Sequence, residues 1–149
     1  NIQAMEEVLR LKSTVEQKLK MHDLHPTRAR IRIGMMLFDS PQHLSAGQIF
    51  EQLTKQGHGI SKATVYNTLN AFTQSGMIHA VAVDPERMFY DSTISAHHHF
   101  YNTDTGQLTD IPLEDLSIEE IPRLPDNTEI EDVQVIVKVK NKTTTPTSV

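Results

Sequence analysis

Three consecutive histidines, His97-His98-His99, stand in a chain of 149 residues without a single cysteine. Imidazole is a common nitrogen ligand for transition metals and haem iron, so the triplet reads as a metal or haem site. In an extended strand His97 and His99 point the same way, with backbones roughly 6.5–7 Å apart. Two imidazoles can then converge on one ion through bonds of about 2.1 Å. His98 points to the other face. A carboxylate must complete the shell, and Asp91 and Asp110, at the ends of neighbouring strands, are the candidate acids. His43, on a turn ahead of a helix in the first half, offers a further nitrogen. Nitrogen and oxygen donors alone suit Fe(II), Mn(II), Zn(II) or Ni(II). Isolated His22, His58 and His79 read as surface or internally satisfied residues.

The elements that must hold this set fall into two textures. In the first half apolar residues recur at helical spacing. A helix is expected over residues 3–21, with Val8, Leu11, Val15 and Leu19 as its apolar stripe. His25-Pro26 breaks it. A second starts after Thr27, an N-cap, buries Ile33, Met36 and Leu37, and stops at Asp39-Ser40-Pro41. Ser45 with Gln48 is a capping box. It opens a third helix whose Ala46, Ile49, Phe50 and Leu53 form one stripe. Gly57 and Gly59 end that helix. Ser61 caps a fourth, with Val65, Leu69 and Phe72 inward, and Gly76 ends it. Residues 77–83 and 88–90 read as two strands joined at Asp84-Pro85-Glu86-Arg87. Helices followed by a hairpin make a winged-helix plan over 1–91. Residues 92–140 read as a small second domain. Its strands are expected at 97–101, 107–111 and 133–140, with a short helix near 114–121. A unit this small has little core of its own and gains by pairing with its copy, so a homodimer is expected. Residues 141–149 form a Thr-rich tail expected to be disordered.

The charge is as divided as the texture. Residues 1–83 hold nine Lys/Arg against six Asp/Glu, a net +3, whereas residues 84–149 hold five against thirteen, a net −8. The chain's overall −5 thus conceals a basic half, and phosphate affinity needs only a local basic surface. Arg28, Arg30 and Arg32 crowd the first turns of the second helix, where the helix dipole disfavours cations. They answer to something outside the helix, most simply phosphate. The fourth helix carries Lys62, Tyr66 and Asn70 at i, i+4 and i+8, with Asn67 beside them, opposite its apolar stripe. Tyr66 suits contact with a thymine methyl, and Asn67 or Asn70 suits pairing with adenine. A metal site attached to a DNA-reading unit is a sensor. No apolar run of about 18 residues spans a membrane, no secretory leader is expected from the charged opening, and absent cysteines fit a cytoplasmic protein.

In order and spacing, Pro26-Thr27-Arg28-Ala29-Arg30, His43-Leu44-Ser45-Ala46, Ala63-Thr64-Val65-Tyr66, Gly76-Met77-Ile78 and the histidine triplet followed by Gly106 resemble the ferric uptake regulator (Fur) superfamily. The resemblance covers His25 to Val139 and implies an α+β fold: an N-terminal winged helix and a C-terminal α/β dimerisation domain. It implies a regulatory metal site on His43, Asp91, His97, His99 and Asp110, a base-contacting role for Tyr66, and a minor-groove approach for His25. Two departures stand out. The family's frequent Cys-x-x-Cys pair reads Asn102 and Thr105 here, which rules out a structural zinc held by four cysteines, and the usual arginine after the tyrosine is Asn67. These features are most similar to the iron response regulator (Irr) branch. That likeness implies haem binding at His97, His98 or His99, release of DNA in response to haem, and a haem-delivering partner protein. The Cys-Pro haem motif of some relatives is missing.

The leading expectation is a dimeric regulator that binds an AT-rich palindromic DNA operator and responds to haem or iron. A manganese- or peroxide-responsive repressor of the same superfamily is the nearest alternative. A cupin-like non-haem oxygenase would use His97-x-His99 with one carboxylate, but the strands are too few for a double-sheet barrel. A histidine-rich storage protein leaves Tyr66 and the arginines without a role.

Overall fold

A computed structural model describes residues 1–95 and 97–143. The chain divides into two compact units, Asn1–Ile94 and Ser95–Val149. The first unit holds helices α1 (Ile2–Met21), α2 (Arg28–Phe38), α3 (Ala46–Lys55) and α4 (Lys62–Gln74), and strands β1 (His43–Ser45), β2 (His79–Asp84) and β3 (Arg87–Asp91). The second holds β4 (His98–Asn102), β5 (Leu108–Ile111), a single 3-10 turn at Leu113–Asp115 and β6 (Ile136–Val139). This is the α+β arrangement expected.

Local side-chain chemistry sets the helix starts. Thr27, Ser45 and Ser61 each accept a hydrogen bond from the backbone N–H three residues on, and Gln48 accepts one in return from the Ser45 N–H, satisfying donors the helix leaves open. Helix α4 stops in a two-bond cap: Met77 N–H donates to the Phe72 carbonyl and Gly76 N–H to that of Thr73. Gly76 has φ +79°, a conformation glycine adopts without a Cβ penalty.

The core of the first unit gathers Leu19, Ile33, Leu37, Ile49, Leu69 and Phe72, all fully buried. The apolar stripe of α1 is buried only in its C-terminal half. Val15 and Leu19 are inside, but Val8 is 54% exposed. The 11 residues of α2 span about 16 Å against about 30 Å for the 20 of α1, so the first turns of α1 outrun the helix that covers the rest. The two helices meet closely at Gly34, where an added Cβ would stand 2.5 Å from Val15 Cγ1. Alanine at a helical glycine ordinarily stabilises by up to about 1 kcal/mol. Here Gly34→Ala is expected to destabilise by about 1–3 kcal/mol, read as a lower urea midpoint. A midpoint unchanged or raised would refute this packing.

The first sheet is antiparallel in the order β1-β3-β2. Strand β1 occupies what the sequence suggests is only a turn. Three residues carry too little alternation to announce a strand, and it exists because the outer edge of β3 is available to pair with it. The wing turns at Pro85-Glu86, where Glu86 N–H donates to Asp84 Oδ1.

The second sheet has the order β5-β4-β6, with β4 antiparallel to β5 and parallel to β6. The helix expected near 114–121 is replaced by the 3-10 turn. Leu116 is already extended (φ −143°, ψ 122°). Pro112 and Pro122 confine the segment, and Glu119-Glu120 add repulsion without a covering face. The last strand is shorter than expected, because Val135 is bonded to β4 ahead of the regular ladder. Asn141, expected in the tail, is bonded to Asn102 and Asp104. Residues 144–149 of that tail lie outside the described residues. Among the described residues no helix is long and apolar enough to cross a membrane.

Candidate metal centre and nucleic-acid face

In the first unit, the pairing of β1 with β3 sets His43 directly opposite Asp91. Opposed residues share a sheet face, and His43 Nε2 lies 3.0 Å from Asp91 Oδ2. The Asp91 carboxylate is almost wholly buried, and its other oxygen accepts the Thr93 N–H at 2.8 Å. On the far side of β3, His79 also lies opposite Asp91. This histidine, isolated along the sequence, shares the row of His43 and Asp91. Only strand register reveals it.

In the second unit, β4 sets His99 opposite Asp110 of β5, and His97 precedes the strand by one residue. His97 Nε2 and His99 Nε2 lie 3.3 and 3.4 Å from the same Asp110 Oδ1, and the two rings are 4.5 Å apart. His97 Nδ1 stands 2.6 Å from the Ser95 carbonyl oxygen. A carbonyl only accepts, so Nδ1 carries the hydrogen, and neutral His97 presents a lone pair at Nε2. Holding the distal ring N–H on a carbonyl is how proteins orient metal-binding histidines. Donor atoms around one ion at bonds of about 2.1 Å stand roughly 3.0–3.4 Å apart. The separations in both units have that spacing and exceed a good N–H···O bond in the second. The donors present therefore fit a divalent cation.

His98 serves another purpose. Its Nδ1 accepts the Val135 N–H at 3.0 Å, which ties the approach of β6 to β4. In that tautomer the hydrogen sits on Nε2, leaving no lone pair for a haem iron. The nearby corner at 102–106 does without cysteine. Asn102 Oδ1 accepts from the N–H groups of Asp104 and Thr105, and its amide donates to Asn141 Oδ1. Thr105 Oγ1 accepts from Gln107 N–H, and Gly106 takes φ +74°.

On the first unit, α4 buries Val65, Thr68, Leu69 and Phe72 and exposes Lys62, Tyr66, Asn67 and Asn70. Tyr66 is 46% exposed, uncommon for a tyrosine that has only packing to gain. Its phenol neighbours Tyr90, whose hydroxyl is held above its usual range by burial first and by Tyr66 second. Lys62 lies against the Phe50 ring. His25 and Arg28 are exposed. Arg30 is partly engaged, donating to the His25 carbonyl at 3.0 Å and so bracing the α1–α2 loop.

The ferric uptake regulator family profile matches residues 21–139. Among relatives, the chain is 32% identical over 102 residues to the ferric uptake regulation protein of Brucella abortus biovar 1 (strain 9-941), covering 66% of this chain and 71% of the relative. It is 30% identical over 100 residues to the peroxide operon regulator of Bacillus subtilis (strain 168), covering 67% and 68%. A solved structure of the ferric uptake regulator from Pseudomonas aeruginosa with manganese aligns with TM-score 0.67 at 23% identity, covering 87% of this chain and 98% of that one. These relatives regulate transcription, and the oxygenase reading falls with them. Winged-helix unit, histidine-carboxylate pairs and profile agree: the chain belongs to the ferric uptake regulator family, whose members are metal-responsive transcription regulators and not enzymes.

Proposed function

We propose that this protein is a homodimeric transcription regulator in which one divalent cation, Fe(II), Mn(II) or Zn(II), sets the affinity of α4 for an AT-rich palindromic operator. The cation would be held by His43 and Asp91 from the first unit and by His97, His99 and Asp110 from the second. The observation that carries this reading is the ring of His97, whose Nδ1 hydrogen is committed to the Ser95 carbonyl while Nε2 faces the carboxylate it shares with His99. When bound, the cation supplies positive charge and fixed ligand directions. Donors supplied by residues before and after the boundary near residue 94 would let occupancy bias the presentation of α4. Phe100 and Val137, opposed in register and both exposed, supply an apolar face for pairing with a second copy. Acting on operator DNA, it would work in the cytoplasm.

Base contacts fall to Tyr66, Asn67 and Asn70, and phosphate contacts to Lys62, Arg28 and Arg30, with His25 near the minor groove. Haem has weaker support than a divalent cation. His98 presents an N–H rather than a lone pair, and His99 is 1% exposed, which leaves little room for a porphyrin or a haem-delivering partner. The test is affinity for an AT-rich palindromic duplex at fixed salt, measured for apoprotein, with Mn(II), and with haemin. Tightening by Mn(II) with indifference to haemin is expected. Tight binding by the apoprotein that haemin abolishes would overturn the divalent-cation reading in favour of a haem-released, Irr-like regulator.

A further inference from the structure

We infer that Arg28, Arg32 and His58 form a seat for one backbone phosphate of the duplex, beside the base-reading face of α4, and that His58 takes up a proton when the phosphate is seated. The inference rests on the DNA reading above. Arg28 and Arg32 lie one turn apart on α2, both exposed. His58 stands on the loop between α3 and α4, and Arg28 Nη2 is 3.4 Å from its Nδ1. That loop is fixed by its backbone. Gly57 turns at φ +77°, His58 N–H donates to the Leu53 carbonyl, and the His58 carbonyl accepts from Ile60 N–H. The backbone that carries the imidazole is therefore held in place.

The surroundings are positive. From α2, Arg28 and Arg32 face the imidazole, and from α4 Lys62 lines a cleft of about 490 Å³ together with it. A second cleft, of about 270 Å³, puts His58 beside Arg32, the neutral Gln52 of α3 and Gln56 that caps it, with Leu11 from α1 and Asp39 as its one carboxylate. Desolvation, then Arg32, then Arg28, hold the proton affinity of His58 below the usual imidazole range. In the free protein a neutral His58 accepts a hydrogen bond from the Arg28 guanidinium. A phosphate placed between the two cations reverses this balance. It offers oxygens to the guanidinium forks, cancels the repulsion between them, and favours the charged imidazole as a third donor. Proton uptake then accompanies binding, so operator affinity rises as pH falls through the interval between the proton affinities of the free and seated His58.

The probe is an AT-rich palindromic duplex, and a scrambled duplex beside it, at fixed ionic strength and saturating Mn(II). Wild type, His58→Gln and Arg32→Gln are compared from about pH 7.5 to about pH 6, the range in which histidine titrates. Wild-type affinity is expected to rise toward the lower pH by up to about tenfold per pH unit per seat, equally on both duplexes. His58→Gln is expected to flatten that rise. Arg32→Gln is expected to lower the slope of affinity against salt by about one. A His58→Gln protein that keeps the wild-type pH dependence, or an Arg32→Gln protein with an unchanged salt slope, overturns the seat while leaving the DNA reading intact. Failure of the wild type to bind either duplex overturns both. Metal-ligand titration is common to all three proteins and cancels in the comparison.

Discussion

His97→Ala combined with His99→Ala is expected to abolish the effect of Mn(II) on operator binding, with loss of at least about 100-fold in metal affinity. Changes to outer residues that merely orient ligands already cost about 10–100-fold, and this double change removes two donors outright. The winged helix is expected to stay folded, because neither residue belongs to the core around Phe72 and Leu69. His99 is buried, so its loss costs the second sheet some packing. His97→Gln alone, which keeps bulk at a less buried position, separates that cost from the loss of metal. Isothermal titration with Mn(II) reads the site directly. A metal isotherm unchanged in the double variant would remove these histidines from the centre.

Tyr66→Ala is expected to weaken specific operator binding by about 1–3 kcal/mol and to reduce discrimination against a scrambled duplex, the signature of a lost base contact. Lys62→Gln should instead weaken both duplexes alike and lower the salt slope by about one. The contrast matters because both residues lie on the exposed face of α4, separated by a single turn. Discrimination fully retained in Tyr66→Ala would mean that this face does not read bases. Stability should barely move in either variant, since neither side chain is buried.

What the sequence disclosed depended on how local the physics was. The caps at Thr27, Ser45 and Ser61 involve partners three residues away, so helix starts were legible. The inward stripe of α4 was legible for the same reason. Features that depend on distant pairing were not. The strand at His43–Ser45 exists through β3, more than 40 residues later, and the contact between Arg28 and His58 crosses 30 residues. His79 looks isolated because its relation to Asp91 is one of register. The triplet itself was half legible. Alternation separates His98 from its neighbours, but its bond to Val135 depends on the position of β6, which no local pattern specifies. The helix expected near 114–121 failed where two prolines and paired glutamates outweighed a weak apolar pattern.

The corner at Asn102 has a consequence for how such a sensor is reset. Its turn is closed by amide and hydroxyl groups, and the chain has no thiol. Under the proposed cation reading, scaffold integrity and cation occupancy would be separate variables. With the proposed cation in place, a chelator would strip it without unravelling the sheet that carries His99 and Asp110, and oxidants find no sulfhydryl in this chain through which to dismantle that sheet. Loading and unloading would then be a reversible titration, whose midpoint reports free cation rather than the history of the fold.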